Sequence, residues 1–158
     1  MSIYPATKRG SKRLTTTLCI SLLGLLASCS QDDFSTQTED HLSFEENLQM
    51  QLIEAQSGDI IEIPAGIHNF TRSLSLNVSG VTLRGAGIDE TILSFKNQVQ
   101  GAEGLLVTAD DFVMEDMAIE DTIGDALKIN QSTNVTLRRI RTEWTNGPDS
   151  ENGAYGIY

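Results

Sequence analysis

Cysteine is nearly missing from this chain: two occur in 158 residues, Cys19 and Cys29. A disulfide framework therefore does not organise the fold. Histidine is as scarce, and His41 and His68 lie far apart with no cysteine nearby, so no zinc-ligand spacing exists. Aromatic residues make up only 6% while glycines number 13, a balance that suits a turn-rich β-protein better than a helical one. Positive charge is short as well, with 11 Lys and Arg against 22 Asp and Glu. Four of the basic residues and none of the acidic ones fall in residues 1–28, leaving seven against 22, a formal −15. Such a body repels nucleic acid and anionic lipid surfaces. It favours cations, and it makes an anionic polysaccharide a harder partner unless local arginines or a bridging cation compensate. The apolar run from Leu14 to Leu26 is too short for a lasting transmembrane helix.

What is present begins with an address. Lys8, Arg9, Lys12 and Arg13 precede the apolar run, and Leu26-Ala27-Ser28-Cys29 closes it. Residues 1–28 thus have the layout of a secretory signal peptide. The closing four residues resemble the lipobox of bacterial lipoproteins: an aliphatic residue, two small ones, then the cysteine that is acylated. That resemblance implies lipidation at Cys29 and attachment to a lipid bilayer. With Ser30 next instead of Asp, it also implies sorting to the outer membrane of the cell envelope. The plainer alternative is an ordinary cleavage site beside a cysteine. Acylation would account for a single leftover thiol in a secreted chain. Residues 29–41 are polar and read as a flexible tether.

The folded part, residues 42–158, opens with one helix. Ser43 followed by Glu46 fits a capping box, and Phe44, Leu48, Leu52 and Ala55 form an apolar stripe at helical period. Ser57-Gly58-Asp59 ends the helix and Ile60-Ile61-Glu62-Ile63 reads as a strand, closed by Pro64-Ala65-Gly66. One short strand is then written three times: Val81-Thr82-Leu83-Arg84, Phe112-Val113-Met114-Glu115 and Val135-Thr136-Leu137-Arg138. Each copy follows a polar turn (Ser79-Gly80, Asp110-Asp111, Thr133-Asn134), and the copies start 31 and 23 residues apart. Periods of this size mark stacked repeats, whose coils bury their apolar faces only against one another. Further strands over 74–78, 91–95, 105–107, 117–119, 126–129 and 140–142 fill the intervals, none longer than about six residues. The predicted class is all-β, a solenoid with the helix laid across its open end as a cap.

The helix, the run from Ser57 to Gly66, Val81-Thr82-Leu83-Arg84-Gly85-Ala86-Gly87 and Thr91-Ile92-Leu93 together resemble the start of pectate-lyase-like proteins. Within that superfamily the chain is most similar to bacterial lipoproteins described as parallel β-helix repeat proteins. The resemblance spans residues 42–158 and implies a right-handed, single-stranded parallel β-helix. It implies little about activity, since the superfamily holds lyases, hydrolases, epimerases and non-enzymatic adhesins. Members usually have more coils, and this chain stops within the apolar strand Gly156-Ile157-Tyr158, without a polar terminal repeat. The expectation is an N-terminal portion of a longer β-helix, prone to self-association through its uncovered last coil if it stands alone.

Two clusters carry candidate chemistry. Asp110, Asp111, Glu115, Asp116, Glu120, Asp121 and Asp125 crowd one region, and adjacent coils can bring carboxylates together for a hard cation. The resemblance implies a use for such a site: in pectate lyases calcium bridges enzyme and substrate carboxylates. The competing reading is a solvated acidic face with turn aspartates, and neither an EF-hand loop nor a calcium β-roll repeat is present. No cofactor other than this calcium option is expected. Arg138, Arg139 and Arg141 form the only basic cluster after the leading segment. Strand alternation places Arg139 and Arg141 on one face and Arg138 on the other. An arginine pair can fork a sugar carboxylate, and Trp144 in the loop that follows offers an indole for ring stacking. Arg139, Arg141 and Trp144 are therefore the candidate carbohydrate-binding residues, and the resemblance adds that lyases of the superfamily often use an arginine as base. The competing reading pairs the arginines with acids of the preceding coil and lays Trp144 over the core. No Ser/His/Asp set and no clear carboxylate pair for glycoside hydrolysis is identifiable.

Two functions remain. One is a cell-envelope lipoprotein that binds or processes polysaccharide, as a lyase, epimerase or hydrolase if it is an enzyme. The other is a non-catalytic β-helical scaffold or interaction protein, favoured by the acidic body and the missing catalytic set.

Overall fold

A computed structural model describes residues 42–158; the segments 1–28 and 29–41, with Cys29, lie outside the described residues. Helix α1 (Phe44–Glu54) starts at the predicted box, with the Glu46 N–H donating to Ser43 Oγ and the Ser43 N–H donating to the Glu46 carboxylate at 3.0 Å. Each bond satisfies a backbone donor that a helix start otherwise leaves unpaired. Leu48 and Leu52, one turn apart, point into the core at 3% and 0% exposure. Phe44 stays at the rim and stacks on His68, ring centroids 3.9 Å apart.

Nine strands follow: β1 (Ile60–Glu62), β2 (Gly66–Asn69), β3 (Arg72–Leu76), β4 (Thr82–Arg84), β5 (Thr91–Ser94), β6 (Gln100–Val107), β7 (Val113–Glu120), β8 (Asp125–Ile129) and β9 (Thr136–Glu143). Every pairing among them is parallel. They form three ladders. The first joins β1, β4 and the opening halves of β7 and β9; the second joins β2, β5 and the closing halves of β7 and β9. The third joins β3, β6 and β8, to which Ile157 adds a bridge at Leu127. The result is a parallel β-helix of about four three-sided coils with a short helix at its N-terminal side, the predicted class.

Like residues stack on like through the coils. Ile61, Leu83, Met114 and Leu137 share one inward position of the first ladder, and Leu74, Leu105 and Leu127 share one of the third. Phe70 and Phe95 stack at a corner, centroids 5.0 Å apart. Burying each such side chain contributes roughly 1.5–3 kcal/mol, which is what drives one coil onto the next. The predicted turns supply the sharp corners. Gly58, Gly80, Asp111 and Asn134, each two residues before the first ladder, all have positive φ (98°, 77°, 53° and 55°). Only glycine adopts this geometry freely, with Asp and Asn next because their side chains bond locally.

The helix closes an open edge by an unusual substitution. Gln49 Oε1 accepts from the Ser75 N–H at 2.9 Å while its Nε2 donates to the Ser75 carbonyl at 3.1 Å. One turn earlier, the Glu45 carboxylate accepts from the N–H groups of Thr71 and Arg72 at 3.1 and 3.0 Å. These side chains occupy the hydrogen-bonding positions that a further strand beside β3 would fill.

Two expectations need correction. Gly66 is expected to close a turn and residues 67–69 carry no expected element, yet Gly66–Asn69 form β2; Ile67 is 66% exposed and the run shows no inward alternation, so its partner β5 supplies the order. β6, β7 and β9 each run eight residues, beyond the expected limit. In β7 and β9 two short strands fuse, since the corner between the first and second ladders takes a single left-handed residue, Asp116 (φ 62°) or Arg139 (φ 52°), without a shift in register.

Candidate functional site

The acids crowded in the sequence are spread around a single coil, from the turn before β7 to the start of β8. Asp110 accepts from the Thr133 N–H and Oγ1 at 2.7 and 2.8 Å, Asp111 from Asn134, Asp116 from Arg139 and Asp121 from Thr145; Glu120 and Asp125 pair with Arg141 and Lys128. Most of these partners belong to the following coil. Among the described residues no group of three or more His, Cys, Asp or Glu could hold a metal ion. His68 places Nε2 2.9 Å from the Pro64 carbonyl beneath Phe44, a packing position.

The outward face of the first ladder carries alternating charge. Glu62, Arg84, Glu115 and Arg138 are register partners in successive coils. Arg84 donates Nε to Glu115 at 2.6 Å and reaches Glu62 at 3.4 Å, and Arg138 donates to the other Glu115 oxygen. Glu115 is 2% exposed, and its hydrogen bonds from Arg84 and then Arg138 hold its carboxyl below the ordinary carboxylate range. Asp116 is lowered in the same way by Arg139.

The arginine candidates do not share a face. Arg138 ends the first ladder and Arg141 lies in the second, while Arg139 stands at the left-handed corner between them. The corner residue breaks the period-two alternation on which the shared face depended. Arg139 forks Asp116 with Nε and Nη2. Arg141 lies on the outer side of the second ladder with Nη1 2.8 Å from Glu120 and against Glu143, and Nε 3.5 Å from Asp89. Both guanidinium groups are thus already compensated by carboxylates.

Trp144 lies at the next corner and lines a cleft of about 220 Å³. The cleft is bordered by Lys96, Asp121, Thr122, Ile123, Thr145, Asn146, Glu151 and Asn152, with Phe95 at its base. Trp144 Nε1 donates to the Thr122 carbonyl at 2.7 Å, which fixes one edge of the ring. Asp121 takes the left-handed conformation (φ 56°) and accepts from the Thr145 N–H at 2.6 Å, holding the start of the loop against the preceding coil. Gly153 brings the loop back: a Cβ there would stand 1.7 Å from the Gly124 carbonyl, so only glycine fits. Asn152 Nδ2 donates to the Gly147 carbonyl at 2.7 Å and stiffens the loop from within. Arg72, Arg84, Lys128, Arg138, Arg139 and Arg141 all sit within 4.0 Å of a carboxylate, whereas Lys96, among the described residues, has no such partner.

Lys96, Glu151 and Asn152 escaped the reading of the sequence. The repeat does contain a signal for the first. Ser94, Glu120 and Glu143 are in register, so Lys96, Thr122 and Thr145 each lie two residues further on in successive coils and converge beside Trp144. Compared with protein-family models, with curated proteins and with solved structures, the chain finds no match in any of the three.

Proposed function

We propose that this chain is a cell-envelope lipoprotein whose β-helix binds polysaccharide at the corner cleft beside Trp144. The cleft is the observation that carries the reading: an indole pinned along one edge, beside hydroxyl, amide and charged groups from two walls. Sugars present apolar ring faces and polar rims, and an aromatic ring among hydrogen-bonding side chains complements both. At about 220 Å³ the cleft is smaller than the ~300–1,000 Å³ of enclosed small-molecule pockets. It suits one residue of a chain lying across the surface. Of the three sequence candidates, Trp144 lines the cleft, which supports its part in the reading, while Arg139 and Arg141 pair with carboxylates of the coil stack. The lipobox-like Leu26-Ala27-Ser28-Cys29 supports acylation at Cys29 and attachment to the outer membrane.

Glycan-array binding by the intact protein and by Trp144→Ala tests the ligand. Binding by the wild type that drops at least about tenfold in Trp144→Ala, with unchanged circular dichroism, is expected. Silence across the array would instead favour the scaffold, a reading supported by the coil-to-coil ion pairs. Radiolabelled palmitate should enter the wild type and not Cys29→Ala; equal labelling removes the lipoprotein assignment.

A further inference from the structure

Resting on that reading, we propose that the Trp144 cleft selects uncharged sugars and that Glu151 is the residue that sets this selectivity. The arginines suited to a sugar carboxylate are occupied: Arg139 by Asp116, Arg141 by Glu120 and Glu143. The cleft's own charges are one cation, Lys96, and two carboxylates, Asp121 and Glu151. The Asp121 carboxylate is held by Thr145, through its N–H and its hydroxyl. Glu151 has no ion-pair partner among the described residues, and its exposed side chain sits where the Glu151 N–H bond to Asp149, at 2.9 Å, sets the turn. Lys96 and Glu151 thus offer a free donor group and a free acceptor group to one bound ring. A polyhydroxylated neutral sugar satisfies both, because each hydroxyl donates and accepts. A sugar carboxylate meets Glu151 and Asp121 with Lys96 alone to offset them. It does so on a body with seven basic and 18 acidic residues over 42–158, a formal −11. Repulsion of this kind gives selectivity by raising the free energy of the wrong partner.

Calorimetric titration of the intact protein with uncharged gluco- or xylo-oligosaccharides and with oligogalacturonides, at low and high salt, tests the assignment. The neutral series should bind, with little salt dependence, and the uronate series should bind at least about tenfold more weakly at low salt. Added salt should narrow that gap, and so should Glu151→Gln, which keeps an acceptor and removes the charge. Trp144→Ala should weaken both series. Equal affinity for the two series, still dependent on Trp144, overturns the selectivity and leaves glycan binding standing. A gap unchanged in Glu151→Gln removes the role of Glu151 alone. Binding of neither series, or binding indifferent to Trp144, overturns the glycan reading itself.

Discussion

Replacing Gln49 by alanine isolates the device that closes the third ladder. The wild-type carboxamide makes two bonds to one residue, accepting from the Ser75 N–H at 2.9 Å and donating to its carbonyl at 3.1 Å. Each is worth roughly 0.5–1.5 kcal/mol net, and because Ser75 is exposed, water recovers part of the loss. Alanine returns a few tenths through its helix propensity. The expected cost is therefore about 1–2 kcal/mol. With a urea m-value of about 2 kcal/mol/M, the middle of the range for small proteins, that displaces the unfolding midpoint downward by roughly 0.5–1 M. Circular dichroism during urea unfolding reads the shift. Amide exchange at Ser75 reads its locality, since solenoids open from their ends. Gln51→Ala is the control, because among the described residues the Gln51 amide bonds only to Asn47 within the helix. Gln49→Glu is sharper still: it keeps the acceptor for the Ser75 N–H but sets a carboxylate against the carbonyl, so its deficit should shrink on acidification. A Gln49→Ala midpoint indistinguishable from that of Gln51→Ala would refute the reasoning.

Acid should weaken the first ladder in a defined window. Glu115 and Asp116 are lowered from ordinary values of 4.5 and 3.8 by their arginine partners, so their contribution is complete above pH 4.5 and disappears as pH falls through the depressed folded values. Unfolding midpoints followed against pH should show a steeper acid limb in the wild type than in Glu115→Gln; identical limbs would remove Glu115 from the account. At the left-handed corner, Asn134→Gly should leave the melting temperature nearly unchanged while Asn134→Val costs about 1–2 kcal/mol. Phe112→Ala, at a position with 0% exposure, should cost about 3–5 kcal/mol, measured by the same melts.

How far residues alone could be read depended on whether the coil repeated them. The first-ladder strand occurs four times with the same in-out order, Ile61, Leu83, Met114 and Leu137 inward, so its repeats stood out. The capping box was legible because it lies within four residues. β2 was not, since its order comes from β5, 25 residues on, and its own side chains carry no pattern. The corner at Arg139 stayed hidden for a related reason. Nothing in the sequence Arg138-Arg139 marks a left-handed residue, and the signal lies in Asp116, the same position of the coil before. The cleft gathers residues from three coils and a loop, so Trp144 was visible as a type while Lys96 and Glu151 were visible only through position.

The alternation of Glu62, Arg84, Glu115 and Arg138 has a bearing on how such a chain can lengthen. Duplicating a single coil would set acid beside acid or base beside base on this face, and like charges directly opposite destabilise a sheet. Duplicating two adjacent coils restores the order of signs. The face therefore enforces a parity rule, under which the natural unit of growth is a pair of coils even though the structural repeat is one.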